Sequence, residues 1–113
     1  MQDTSAATTT PVLAPTGPLD LVTSRGLGSA LGELAGTPGD AVLDLSDVGF
    51  MDSMGLGVVL KAVNRFSRQG KQLHLVVPPG GNVSRLLELT GTRGRVSAFE
   101  TRDEALSRAE APR

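Results

Sequence analysis

Apolar positions follow two patterns along this chain, and the place where one gives way to the other is its most informative point. Val42, Leu43 and Leu45 form an apolar run too short for a helix and rich in strand formers. Beyond Phe50 and Met51 the spacing changes. Leu56, Val59, Leu60, Val63 and Phe66 recur at helical intervals, with Lys61, Asn64, Arg65 and Arg68 on the other side. The pattern predicts a strand near 41–45 running into a helix over about 54–68, with Gly70 as its stop. Asp52 and Ser53 lie at the switch, where short polar side chains can satisfy the unpaired amides of a helix start. Gly55 and Gly57 leave little side-chain cover over that first turn, so a hydroxyl there is exposed at the positive end of the helix dipole.

The rest of the chain repeats the alternation. Pro11, Pro15 and Pro18 lack ladder donors, so 11–18 holds at best one edge strand. Asp20 is placed to cap a helix with Leu27, Ala30, Leu31 and Leu34 as its apolar face. Gly26, Gly28 and Gly32 weaken that helix by roughly 0.8–1 kcal/mol each relative to Ala, so it must depend on packing. Gly36 to Asp40 is a turn. Leu73, Leu75, Val76 and Val77 form the next strand, ended by Pro78-Pro79-Gly80-Gly81. Asn82 is placed to cap a helix carrying Val83, Leu86 and Leu87, stopped at Gly91. A short strand over 96–99 and a helix over 103–109 complete the order. Strands alternating with helices predict an α/β domain: a mainly parallel sheet of four to five strands with about four helices packed against it. Residues 1–10 are small and polar and read as a disordered leader; 11–109 form the domain and 110–113 a tail.

Composition removes several classes of function. At 113 residues the chain is one domain, and its net charge of −1 offers no field for nucleic acid or an anionic membrane surface. Cysteine is absent and His74 is the single histidine, so neither a disulfide framework nor a zinc cluster is expected, and no metal or cofactor site is assigned. With three Phe and neither Trp nor Tyr, base-stacking platforms are missing. No apolar stretch reaches membrane-spanning length and no secretory signal precedes the core, so the cytoplasm is the expected compartment.

The segment Asp44-Leu45 with Phe50-Met51-Asp52-Ser53-Met54-Gly55-Leu56-Gly57 resembles the signature of the STAS domain in bacterial anti-sigma factor antagonists, with Met54 where a second Ser is usual. Gly17-Pro18-Leu19-Asp20 resembles that family's Gly-Glu-Leu-Asp. Val83 to Gly91 resembles its third helix, and Phe99 to Leu106 its last strand and helix. The likeness covers roughly residues 10 to 107. It implies a protein that binds an anti-sigma factor kinase and frees the sigma factor. Ser53 would be the phosphorylated residue that switches binding off, and a serine phosphatase would reset it. Asp52, Ser53, Met54, Gly55, Leu56 and Gly57 would form the partner-binding surface, and Asp44 would support the turn. Met54 and the shortened N-terminal edge favour the alternative, a constitutive STAS interaction subunit without a phosphorylation cycle.

Enzyme readings are weaker. Gly55-Leu56-Gly57 evokes a dinucleotide turn, but Leu60 occupies the third glycine position and no acidic residue follows Val76-Val77-Pro78 to hold a ribose. Ser53 in a strand–turn–helix evokes a nucleophile elbow. Met51 replaces its first glycine, and the sole base, His74, falls mid-strand, where a surface-facing position is expected. The expectation is a binding module and phosphoryl acceptor, with no catalytic residue. Lys61, Arg65 and Arg68 could pair with acidic residues of a partner, but a solvated helix face is the more ordinary reading.

Overall fold

The computed structural model describes residues 9–112. The leader expected over 1–10 falls almost wholly outside them, as does the end of the tail. The elements run β1 (Val12–Leu13), α1 (Ser24–Ala35), β2 (Ala41–Asp44), α2 (Ser53–Arg68), β3 (Leu73–Val76), α3 (Asn82–Leu89), a 3₁₀ turn (Arg93–Arg95), β4 (Ser97–Phe99) and α4 (Arg102–Ala109). All strands are parallel, in the order β1-β2-β3-β4, and the expected α/β architecture is the one observed. As the proline spacing requires, β1 is a two-residue edge strand: Pro11 can only accept, and its carbonyl takes the Val42 amide.

Helices cover both faces of the sheet. On one, Leu27 and Leu31 of α1, Leu56, Val59 and Phe66 of α2, and Val83 and Leu87 of α3 pack against Ala41, Leu43, Leu73 and Leu75. On the other, Ala105 of α4 closes over Val42 and Val76. β2 and β3 are therefore buried at every position, as strands of a parallel sheet between helix layers are.

That double burial corrects the expectation for His74. Its ring is fully buried on the α4 side of the sheet, with Nε2 2.9 Å from Asp40 Oδ2 and Nδ1 2.8 Å from Ser97 Oγ. The ring joins the start of β2, the middle of β3 and the start of β4. Both its nitrogens are occupied at the end of the sheet opposite the β2–α2 turn, so it is no base for Ser53.

Two caps also differ from expectation. Asp20 caps a turn ahead of α1: its Oδ1 accepts from the amides of Val22 and Thr23, and the helix begins at Ser24 with Thr23 as N-cap. Fully buried positions of α1 are Ser24, Leu27, Leu31 and Ala35, with Ala30 and Leu34 half-buried. At its far end Lys71 Nζ donates to the carbonyls of Ala35 and Thr37, placing a cation on the negative end of the helix dipole. Asn82 is the first residue of α3 and Gly81 its N-cap; the Asn82 side chain is used elsewhere.

In α1 an added Cβ at Gly32 would sit 3.7 Å from the nearest atom, Arg65 Nη1, an ordinary contact with a flexible side chain. Gly32→Ala should therefore raise stability by about 0.5–1 kcal/mol through helix propensity alone. Chemical denaturation checks this, and a loss would mean the glycine is sterically required.

Candidate functional site

The sequence Asp52-Ser53 begins α2 because Asp52 is held extended (φ −102°, ψ −174°), and its Oδ1 accepts from the amides of Met54 at 3.0 Å and Gly55 at 3.1 Å. The cap is thus Asp52. Ser53 is the first helical residue, exposed, and its hydroxyl has no hydrogen-bond partner among the described residues. A capping role for Ser53 is displaced by its neighbour.

Around that turn the backbone is braced from two sides. The segment after Gly17 runs beside it, with the Leu19 amide donating to Phe50 O (2.9 Å) and the Asp52 amide to Leu19 O (3.1 Å). The Met51 amide donates to Asn82 Oδ1 at 2.7 Å, tying the turn to the start of α3. Three segments that carry the family likeness, around Leu19, Asp52 and Val83, therefore meet here.

The six residues proposed from sequence divide by direction. Ser53, Met54 and Gly57 are exposed and Asp52 is half-buried, whereas Gly55 and Leu56 are buried and offer a partner no side chain. The reason at Gly55 is close packing: a Cβ there would lie 2.6 Å from Leu19 O and 3.1 Å from Leu19 Cβ and Met51 Cγ. Gly55→Ala should cost about 1–3 kcal/mol, because backbone must move to admit one methyl group. Gly57, with nothing within 4 Å of an added Cβ, should accept Ala at no cost to packing. Thermal unfolding of the pair separates the two environments.

Sequence reading missed part of the rim. Leu21 and Val22, in the turn that follows Leu19, are 68% and 83% exposed; Phe50 and Met54 are 48% and 50% exposed. These side chains lie on two segments that meet where Leu19 bridges Met51, and they make an apolar margin of the kind that marks a protein contact. The signal was present in Asp20-Leu21-Val22-Thr23, where two apolar residues fall inside an Asp turn rather than on the face of α1.

Asp44, at the end of β2, is buried, and its hydrogen bonds run to Ser46 and to α4 rather than to the Asp52-Ser53 turn it was expected to support. It accepts from the Ser46 hydroxyl (2.6 Å) and amide (2.9 Å), and from Arg102 Nε of α4 (2.7 Å). Burial pushes its carboxyl up, but the Ser46 hydroxyl, the Ser46 amide and the Arg102 guanidinium together outweigh burial and hold it below 3.8. A depressed carboxyl stabilises the fold above its unfolded value and loses that contribution as pH falls through the folded one. Asp44→Asn should therefore cost about 1–3 kcal/mol near pH 7, with the gap to wild type closing below 3.8. Denaturant midpoints measured against pH check the sign.

A parallel sheet whose Asp-Ser turn opens onto a helix, braced by the segment after β1, is the architecture of the STAS class. The STAS domain profile matches residues 3–105, and the chain belongs to that family. It is 33% identical over 97 residues to the anti-sigma-F factor antagonist RsfB of Mycobacterium tuberculosis, covering 85% of this chain and 78% of that protein. A crystal structure of an anti-sigma factor antagonist from Mycobacterium paratuberculosis is similar with a TM-score of 0.79 and 28% identity, over 88% of this chain and 85% of that one. The STAS domain of a SulP transporter from Vibrio cholerae is similar with a TM-score of 0.65 and 26% identity, over 88% and 79%. Among the described residues no helix is long and apolar enough to cross a membrane.

Proposed function

We propose that this protein is a cytoplasmic anti-sigma factor antagonist. Unphosphorylated, it binds an anti-sigma factor kinase and releases the sigma factor; phosphorylation of Ser53 ends that binding, and a serine phosphatase restores it. The observation that carries this reading is the exposed, unpartnered hydroxyl of Ser53 at the start of α2, beside an Asp52 carboxylate already committed to the Met54 and Gly55 amides. A phosphate on Ser53 brings about −1.5 to −2 charge at pH 7 next to that carboxylate. The helix dipole offsets roughly 0.3–1 kcal/mol of this, so the fold tolerates the modification. A contact surface does not, because a charge buried there without a partner costs about 2–5 kcal/mol. The protein acts as a phosphoryl acceptor and binding module, with ATP and Mg²⁺ belonging to the kinase. The likeness to RsfB and to the Mycobacterium paratuberculosis protein, both anti-sigma factor antagonists, supports the assignment.

The partner surface consists of Asp52, Ser53, Met54 and Gly57 with the apolar margin Leu21, Val22 and Phe50, supported from beneath by Gly55 and Leu56. The test is affinity capture from native lysate with wild type, Ser53→Ala and Ser53→Glu, together with ATP-dependent labelling of Ser53 by the captured kinase. The switch requires a kinase-type anti-sigma factor with the first two baits and none with Ser53→Glu. Equal capture by all three, without labelling, assigns the chain instead to a constitutive STAS interaction subunit. The likeness to a STAS domain within a transporter speaks for that second reading.

A further inference from the structure

Between α1 and α2 runs an open groove of about 430 Å³, lined by Arg25, Gly28 and Gly32 of α1 and by Val58, Lys61 and Arg65 of α2, with Leu31 and Ala62 in its apolar floor. It leads away from the Ser53 turn and is not needed for the switch. Its lining holds three cations and no carboxylate. None of the three cations makes an ion pair among the described residues.

The charges do not converge on one point. Lys61 and Arg65 lie one turn apart on α2, and the stretches 25–32 and 58–65 each span about 10 Å at 1.5 Å per residue. That spacing suits an extended polyanion rather than a single small anion. The glycines give an independent observation. In the groove an added Cβ would meet Val58 Cγ1 at 3.6 Å at Gly28 and Arg65 Nη1 at 3.7 Å at Gly32. Neither adopts a positive φ. Alanine would fit at each, so the chain forgoes helix stability there without a steric reason inside the protein, and the result is a groove left unfilled.

We infer that the α1–α2 groove docks an acidic helical segment of a protein partner, with carboxylates one turn apart meeting Lys61, Arg65 and Arg25 and small side chains lying over Gly28 and Val58. The inference rests on the anti-sigma reading only for which protein carries the segment; the groove chemistry stands apart from Ser53. A partner helix seated there forms a third ridge beside α1 and α2, a helix-in-groove contact whose attraction weakens with salt.

The test uses the full chain and a fluorescein-labelled, hydrocarbon-stapled helical peptide of roughly 15 residues, with glutamate at every fourth position and alanine between. Anisotropy should report saturable binding below about 1 mM, weakened at least about tenfold by the Lys61→Glu/Arg65→Glu pair. Gly28→Leu should fill the groove and abolish binding while its circular dichroism matches wild type. Amide shifts in a ¹⁵N spectrum should centre on Gly28, Gly32, Val58 and Ala62. Ser53→Glu should bind the peptide as wild type does, so failure of the phosphoswitch and failure of the groove are read separately. The inference is overturned by absence of saturation, by a lysine-substituted peptide binding equally, or by shifts lying outside the groove. It is also overturned if pyrophosphate alone reproduces the shifts, which would mark a small-anion site.

Discussion

Phe66→Ala should destabilise the protein by about 3–5 kcal/mol, the largest loss expected from a single substitution here. The ring is fully buried at the C-terminal end of α2, among the side chains that join α1, α2 and the sheet. Removing it takes away apolar area and leaves a cavity that fixed helices on one side and a parallel sheet on the other cannot close. A second effect follows from Lys71, whose ammonium lies 5.1 Å from the ring centroid and donates to the last carbonyl of α1, that of Ala35. Loss of the ring loosens that lysine, so the C-terminal end of α1 should fray in hydrogen exchange before the rest of the helix. Phe50→Ala is the matched control: its half-exposed ring should contribute no more than about 0.5 kcal/mol to stability. Equal denaturant midpoints for the two variants would contradict the burial seen for Phe66.

Ser53→Glu should weaken binding of the purified anti-sigma factor at least about thirtyfold, while Ser53→Ala stays within about threefold of wild type. Both variants should unfold with wild type, because Ser53 makes no hydrogen bond that the fold needs and the cap belongs to Asp52. The loss arises from placing a carboxylate beside that of Asp52 and removing both from water. Calorimetric titration measures it. A thirtyfold loss in Ser53→Ala as well would move the effect from charge to shape. A wild-type affinity for Ser53→Glu would place the contact elsewhere on the molecule.

Most of the fold was legible because its punctuation is local. The change from a short apolar run to period 3.6 between Leu45 and Leu56 marks the β2–α2 unit, and the prolines near β1 announce an edge strand. Where a residue's role depends on a distant partner, local rules misled. Asn82 stands where a capping residue belongs, yet its carbonyl oxygen serves Met51, thirty-one positions earlier. Asp20 likewise caps a turn instead of a helix. His74 was assigned to a surface because a strand in a half-exposed sheet has one; β3, covered on both faces, has none. At the candidate site Asp52 and Ser53 were legible from type and order. The opposite directions of Met54 and Gly55 were not, because the first turn of a helix fixes its facing only once Leu19 is packed against it.

The first turn of α2 also bears on how such a protein can change over generations. Neighbouring residues differ in constraint: Gly55 and Leu56 are held by contacts with Leu19, Met51 and the core, whereas Ser53, Met54 and Gly57 face outward. Substitutions at the outward positions can be sampled without loss of foldedness. A duplicated copy could therefore drift toward a different partner one residue at a time and remain folded at every step. Met54, which departs from the signature the segment resembles, stands at one of the positions free to make such a move.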